Sequence, residues 1–400
     1  MKSTYSDVVV VGAGPAGLVL TKTLSRAGLT VTVVERQTDP TCSPQGALLQ
    51  PVTLDLLGRL AGMPHSASDP GAVAGIEEVG PHGSIFTGYF DDLDDSPTGY
   101  AVNVSQGYLR AFLLDCVRGS PAVTIRTGTT VAGLNDLRPG HCATVVINAS
   151  EEGEPELIRS SWVVAADGKA SMVRELAGID AEVSGFDHRL FLLSVPMHCD
   201  VPRLIRAHRS VGGMVTTVPG GAPGRTLLFV HTSSDGTNVL ALAAETVEAI
   251  RPFDPVLATA AVGHLPVGRV VDVRPQLVHA SSWRRNGVVL LGDSAHGMHN
   301  IGGQGLNTAI QDAVVLGRIL SGNEGDVVSR LDEHEQARRP YIENLQQAQS
   351  RLGSGFWTDG AESWFAPRFE ELSLGQREMR ASCVVPQHTS STVNARVGDA

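Results

Sequence analysis

The sequence predicts an α/β fold: a Rossmann-like first domain interrupted by an antiparallel sheet, with a helical segment toward the C-terminal end. Three stretches predict it. Val8 to Arg36 reads strand, glycine turn, helix, strand. Between about Leu190 and Val278 the composition shifts to short β-branched and aromatic runs. Gly287 to Leu291, again fully apolar, then leads directly into Gly-Asp-Ser-Ala-His and returns the chain to the first domain.

The first unit organises the rest. Val8 to Val11 enters a glycine turn, a helical pattern runs through Leu18, Leu24 and Ala27, and Gly28 precedes Val31 to Val34 and Glu35. Gly12, Gly14 and Gly17 form G-x-G-x-x-G. Gly12 permits the tight turn, Gly14 lets a pyrophosphate approach the backbone, and Gly17 lets helix and strand pack closely. Pro15 and Ala16 open the helix, whose unpaired N–H groups and positive dipole end favour phosphates. Glu35, followed by Arg36, ends the second strand, where its carboxylate can accept both ribose hydroxyls of an adenosine. The unit specifies a dinucleotide without saying which.

A turn-rich linker, Thr38 to Gly46, follows and runs close to the dinucleotide. Pro51 to Leu60 is a helix with Leu54, Leu57 and Leu60 on one face. Ala74 to Val79 and Ser84 to Tyr89 are strands of a second sheet, and the acidic run Asp91 to Asp95 is a solvated turn rather than a metal site. Ser105 to Cys116 is helical, and Val123 to Arg126 and Ala143 to Asn148 are strands. Glu151 to Glu156 is an exposed turn before the buried strand of Trp162 to Gly168. The inserted region holds strands at Leu190 to Val195, Gly213 to Val218 and Thr226 to Thr232. A helix begins near Glu245, which Pro252 and Pro255 break or redirect. Gln304 to Leu320 is a helix; Asp326 to about Gln349 is a long charged one, with Pro340 in a position to kink it. The tail from Val384 is polar. The predicted domains are therefore 1–72, 101–180 and 279–325 for the dinucleotide, 73–100 and 181–278 for the substrate sheet, and 326–400 for the C-terminal region.

The formal net charge of -11 argues against a general affinity for nucleic acid. Five cysteines lack metal-ligand spacing and fit a reducing cytoplasm, and no metal is expected. The first strand begins too early for a signal peptide, and no apolar stretch is long enough to span a membrane. These observations point to a cytoplasmic monomer or homodimer.

Three motifs together carry a resemblance: the opening fingerprint ending in Glu35, Ala165 to Arg174 (A-A-D-G-K-A-S-M-V-R), and Gly292 to Asn307 (G-D-S-A-H-G-M-H-N-I-G-G-Q-G-L-N). The chain resembles the single-component, class A FAD-dependent aromatic monooxygenases of the para-hydroxybenzoate hydroxylase fold. It looks nearest to the quinolone-pathway amine-oxidising and ubiquinone-pathway branches. The resemblance spans roughly the first 340 residues, and it implies FAD as cofactor with NADPH or NADH and O2 as co-substrates. It also implies hydroxylation or N-oxidation of an electron-rich, aromatic small molecule of secondary metabolism through a flavin C4a-hydroperoxide. An FAD-dependent dehydrogenase or reductase on the same fold, and a non-catalytic flavin-binding protein, are the alternatives.

The resemblance also assigns residues. Asp293 falls near the FAD ribityl and pyrophosphate; Asp167 matches an acid tied to pyrophosphate and nicotinamide, and as an Asx turn it also suits the helix toward Arg174. Gln106 and Gln45 lie where the family contacts FAD, Gln45 standing where an arginine is common. Gly302, Gly303, Gln304, Gly305, Leu306 and Asn307 open a helix whose N-terminus points at the flavin pyrimidine. Asn300 replaces the family's proline. His299 and Asn300, with His296, are the catalytic candidates, His299 as a base with an ordinary imidazole pKa of about 6.5. The expected cavity lies between flavin and inserted sheet, one wall coming from Leu190 to Val195, Gly213 to Val218 and Phe229 to His231.

Overall fold

Four successive β-branched valines make Ser3–Val11 a strand buried on both faces. It lies at the centre of a parallel array, with Val10 opposite Val164 on one side and Val33 on the other. The order across this sheet is Arg284–Arg285, Val288–Leu290, Glu156–Ala165, Ser3–Val11, Val31–Val34, Val123–Arg126. The computed structural model describes residues 3–41, 46–93, 98–138, 155–197, 203–210, 212–232, 238–265, 270–322, 326–351, 363, 365 and 366, with 143–148 as backbone strand. Gln45 and the tail from Val384 lie outside the described residues.

Strand alternation divides the core. Val8 and Val10 face Leu18, Leu24, Leu109 and Ile310, from the helices Pro15–Arg26, Gln106–Arg118 and Gln304–Ser321. Val9 and Val11 face the other way, onto Trp283, Leu290, Ile342 and Leu345, the last two from the helix Val327–Ser350. That helix runs through Pro340 without interruption. The strands Thr130–Asn135 and Ala143–Asn148 extend Glu156–Ala165 as an antiparallel flap; Thr130–Asn135 escapes the sequence reading because its apolar residues are only half-buried.

The second sheet has seven strands in the order Val271–Val273, Arg189–Val195, Thr226–Thr232, Gly213–Pro219, Leu204–Ser210, Gly75–Gly80, Gly83–Tyr89. It is mixed rather than wholly antiparallel, since Leu204–Ser210 pairs with Gly75–Gly80 in parallel. Those two strands arrive from distant parts of the chain, so no hairpin dictates their direction. Leu204–Ser210 is hidden in the sequence because Arg206, His208 and Arg209 blur its alternation. One face of the sheet is covered by the helices Val239–Glu248 and Pro255–His264, which bury Phe191, Leu193, Val215, Leu228 and Val230. The first helix begins earlier than the sequence suggests, at Val239, and ends at Glu248 ahead of Pro252, while Pro255 starts the next. Asp254 caps that helix and Pro255 needs no donor in its first turn. Smaller sheets, Gly46–Leu49 with Ala101–Ser105 and Ala72–Val73, and Ala181–Gly185 with Gln276–Ala280, join the two large ones.

Candidate active site

The glycines of the first turn divide by what surrounds them. A Cβ on Gly12 would stand 2.3 Å from the Ala166 carbonyl oxygen, and one on Gly17 would stand 2.2 Å from that of Gly12. These two let backbones touch. Gly14 differs: nothing lies within 4 Å of its Cβ position, so it faces open space at the uncapped start of the helix opened by Pro15 and Ala16. Glu35 is buried, and its two carboxylate oxygens accept from the Ala13 and Gln37 amides, each at 2.8 Å. It thus fixes the glycine loop while keeping further lone pairs for a ribose. Arg36 is exposed. Arg110, which no motif marks, donates to the Pro40 carbonyl at 2.8 Å, and its buried Nε has no partner among the described residues.

A cavity of about 430 Å³ separates the first domain from the uncovered face of the second sheet. Alternation aims Leu190, Leu192, Thr216, Val218, Phe229 and His231 into it, the residues between them being those buried under the helices. The opposite side is formed by Gln106, Asp293, Gly302, Gly303, Gly305 and Leu306. Gly302 and Gly303 have φ of 75° and 64°, a conformation natural to glycine, and no side chain caps the following helix Gln304–Ser321. Its N-terminal amides are therefore available to an anionic edge of a ligand. Asp293 lines the same space, and among the described residues its carboxylate accepts no hydrogen bond.

Other candidates serve the scaffold. Gln304 donates to the Gly302 carbonyl at 3.1 Å, and Asn307 donates to the carbonyls of Gly303 at 2.6 Å and Leu48 at 2.8 Å. Gln50 donates to the same Gly302 carbonyl. Asp167 accepts the Ser171 hydroxyl at 2.5 Å and the Val173 amide at 3.1 Å, the capping role rather than a cavity contact. Burial raises its pKa while those hydrogen bonds oppose the rise. Lys169, in the same motif, does line the cavity. Its ammonium donates to the carbonyls of Met298 at 2.6 Å and Gln276 at 2.9 Å, tying the loop before Gly302 to a strand joining the sheets. Burial lowers its pKa, and Asp293 works against that shift.

The histidines part company. His296 is buried against Trp283, away from the cavity, with Nε2 2.8 Å from Asp312. Burial favours the protonated Asp312 carboxyl, but Arg338, at 2.8 Å, and His296 outweigh it and hold the group well below the usual range. His296 is therefore a strut between the short turn Asp293–His296 and two helices, not a substrate contact. His299 does line the cavity, and so does Asn300, whose Oδ1 is buried with no partner among the described residues.

Around His299 the structure adds two residues of the inserted sheet region, His188 and His231. Their ring nitrogens converge with those of His299 as metal ligands would. The hydrogen bonds decide otherwise. Nδ1 of His299 accepts the Ile301 amide at 3.0 Å, which leaves the ring proton on Nε2, and that nitrogen lies 2.8 Å from Nε2 of His188. A nitrogen that donates cannot present a lone pair to a metal. His231 stacks on His299 with ring centres 5.6 Å apart. Burial pushes His188 down to about 4, His231 to about 3, and His299 well below the ordinary imidazole value. The sequence expectation of an imidazole poised near 6.5 is thereby corrected: all three rings are neutral at pH 7, because burial disfavours the cation. Sequence reasoning missed His188 because it falls in the turn before its strand, with no periodicity to mark it.

These features fit FAD. Open space at Gly14, an Asp293 carboxylate that accepts no hydrogen bond among the described residues, and an uncapped helix start lie at the points where the dinucleotide and flavin would need them. The comparisons agree. The FAD binding domain family matches residues 5–349. Protoasukamycin 4-monooxygenase of Streptomyces nodosus subsp. asukaensis is 31% identical over 366 residues, covering 87% of this chain and 87% of that protein. 6-Methylpretetramide 4-monooxygenase of Streptomyces rimosus is 33% identical, covering 87% of this chain and 84% of that protein. In fold, the p-nitrophenol 4-monooxygenase PnpA of Pseudomonas putida DLL-E4 superposes with a TM-score of 0.77 at 22% identity, over 96% of this chain and 95% of that one. The chain belongs to the FAD binding domain family and is a class A FAD-dependent aromatic monooxygenase, using NAD(P)H and O2, with the para-hydroxybenzoate hydroxylase fold.

Proposed function

We propose that this enzyme hydroxylates a ring carbon of a neutral, phenolic metabolite in a secondary pathway. The observation that carries the reading is the cavity itself. Its sheet wall is mostly apolar, and the polar groups that it and the loop before Gly302 offer a substrate, Thr216, His231 and Asn300, are uncharged. Of the charged lining residues, Lys169 is bonded to the Met298 and Gln276 carbonyls, Arg274 is exposed, and Asp293 lies on the flavin side. A neutral phenol can be hydrogen-bonded there without burying an unpaired charge. Two curated relatives, named as 4-monooxygenases of protoasukamycin and 6-methylpretetramide, support insertion of a single oxygen atom as the reaction.

Bound FAD supplies electron transfer from NAD(P)H and activation of O2. The chain's residues bind, orient and exclude water. Gly12 to Gly17 and Glu35, with Arg36 and Gln106 nearby, hold the dinucleotide; Asp293 and the amides of Gly302 to Leu306 hold the flavin end. Asn300 Oδ1 accepts a hydrogen bond from substrate, and His231 meets the phenol as a neutral imidazole. His299 acts by position: its proton is committed to His188, and its ring supports His231. The enzyme works in the cytoplasm with NADPH or NADH as its reductant, as a monomer or homodimer. Incubation of the reduced-nicotinamide-fed enzyme with labelled O2 and a phenol panel tests the reading. One labelled oxygen per product is expected. Label arriving only from water, or product formed without O2 by another acceptor, would overturn it.

A further inference from the structure

One wall of the cavity comes from outside the matched region. The family match ends at residue 349, yet Phe365 lines the cavity and is buried, packed with Ile76, Phe90, Ile205, Val218 and Ile301. Its position is set by a carboxylate. Glu78, on the strand Gly75–Gly80, is fully buried, and Arg209 donates to its Oε1 at 2.7 Å. Oε2 accepts the Ser363 hydroxyl at 2.5 Å and, more weakly, the Phe365 amide at 3.4 Å. The Ser363 hydroxyl oxygen in turn accepts the amides of Phe365 at 3.1 Å and Ala366 at 2.9 Å. A buried carboxylate requires such partners, so Glu78 and the C-terminal residues are fixed together.

We propose that Phe365 is the specificity-determining residue of the cavity, limiting the ring size of the aromatic substrate, and that Glu78 and Ser363 are its positioning residues. The proposal rests on the reading that an aromatic substrate occupies this cavity. A phenyl ring in the wall excludes a volume comparable to one further fused ring. Removing it creates space that the surrounding sheet and loop, anchored by their own hydrogen bonds, only partly refill. The apolar residues packed with Phe365, Ile76, Phe90, Ile205, Val218 and Ile301, are not those assigned to the dinucleotide, so flavin content is expected to be unchanged without it.

The test titrates the FAD-loaded full chain with phenol, 1-naphthol and 2-hydroxyanthracene, following the flavin absorbance change. Phe365→Ala is expected to tighten 2-hydroxyanthracene binding at least about tenfold relative to phenol, at unchanged flavin content. Phe365→Leu keeps the wall filled in part and gives a smaller shift in the same direction. Ser363→Ala, with the phenyl ring intact, should move the same ratio, and Ser363→Thr, which retains the hydroxyl, should return it to the wild-type value. An affinity ratio identical in wild type, Phe365→Leu and Ser363→Ala would overturn the proposal alone. Absence of a flavin response to all three phenols in every protein would overturn the underlying reading, and the proposal with it.

Discussion

At the residue scale, the opening glycines are separable by experiment. Gly14→Val places its side chain in open space, so the protein should fold with the melting temperature of the FAD-free wild type and retain no FAD. Gly17→Ala drives a Cβ into the Gly12 carbonyl and should lower stability by more than about 2 kcal/mol. Thermal melts with flavin absorbance distinguish the two outcomes. Asp293→Ala should weaken FAD affinity at least about tenfold, as expected for losing a charged hydrogen-bond acceptor, and ultrafiltration measures it. The histidines give a pH prediction. Their folded pKa values lie below the unfolded value of about 6.5, so the unfolded chain takes up protons first as pH falls. Their contribution to stability is whole above about pH 6.5 and is lost as pH drops through about 4, where His188 titrates. Melting temperature should fall across that window, less steeply in His188→Asn. The kcat/KM profile should show no break near 6.5 from His299; a break there that vanishes in His299→Gln would restore it as a base.

At the scale of elements, the helix Val327–Ser350 is tied to Gln304–Ser321 by a buried ionic group. Arg338 bonds both Asp312 and Gln311, and His296 completes the acceptor set of Asp312. Arg338→Leu leaves Asp312 without its cation and should cost about 3–5 kcal/mol in urea unfolding, whereas the same change paired with Asp312→Leu should cost less. The sequence showed these helices by their period, and the parallel sheet by its apolar runs. It could not show this tether, because Arg338 sits in a charged helical stretch where solvent exposure is the ordinary reading, and nothing local pairs it with Asp312, the lone acid of a largely apolar helix. The dinucleotide end was legible because glycine spacing is a local constraint. At the substrate end the sheet wall, through His231, was legible from its strand alternation, whereas His188, in a turn, and Phe365, beyond the long helix, reach the site only through contacts between parts of the chain far apart in sequence. His299 and Asn300 were named, but not the burial that sets the charge state of His299.

At the scale of the whole molecule, the mixed pairing in the second sheet has a consequence for assembly. Gly75–Gly80 is hydrogen-bonded to Gly83–Tyr89 on one edge and to Leu204–Ser210 on the other. The first partner is a hairpin neighbour, available almost at once. The second lies beyond the intervening 101–180 segment of the dinucleotide domain, so its pairing carries the entropy of closing a long loop. A chain emerging in order exposes one edge of Gly75–Gly80 until Leu204–Ser210 is made, while the strands Ser3–Val11, Val31–Val34 and Val123–Arg126 already have one another. Hydrogen-exchange labelling during refolding should protect Val9 and Val33 before Ile76 and Ala207; the reverse order would contradict this topology. The substrate sheet thus depends on a long-range closure that the first strands of the parallel sheet do not need. A ribosome-stalled product ending before Leu204 should carry an unpaired, aggregation-prone strand edge, with Glu78 facing no cation and the half-built sheet exposed to chaperones.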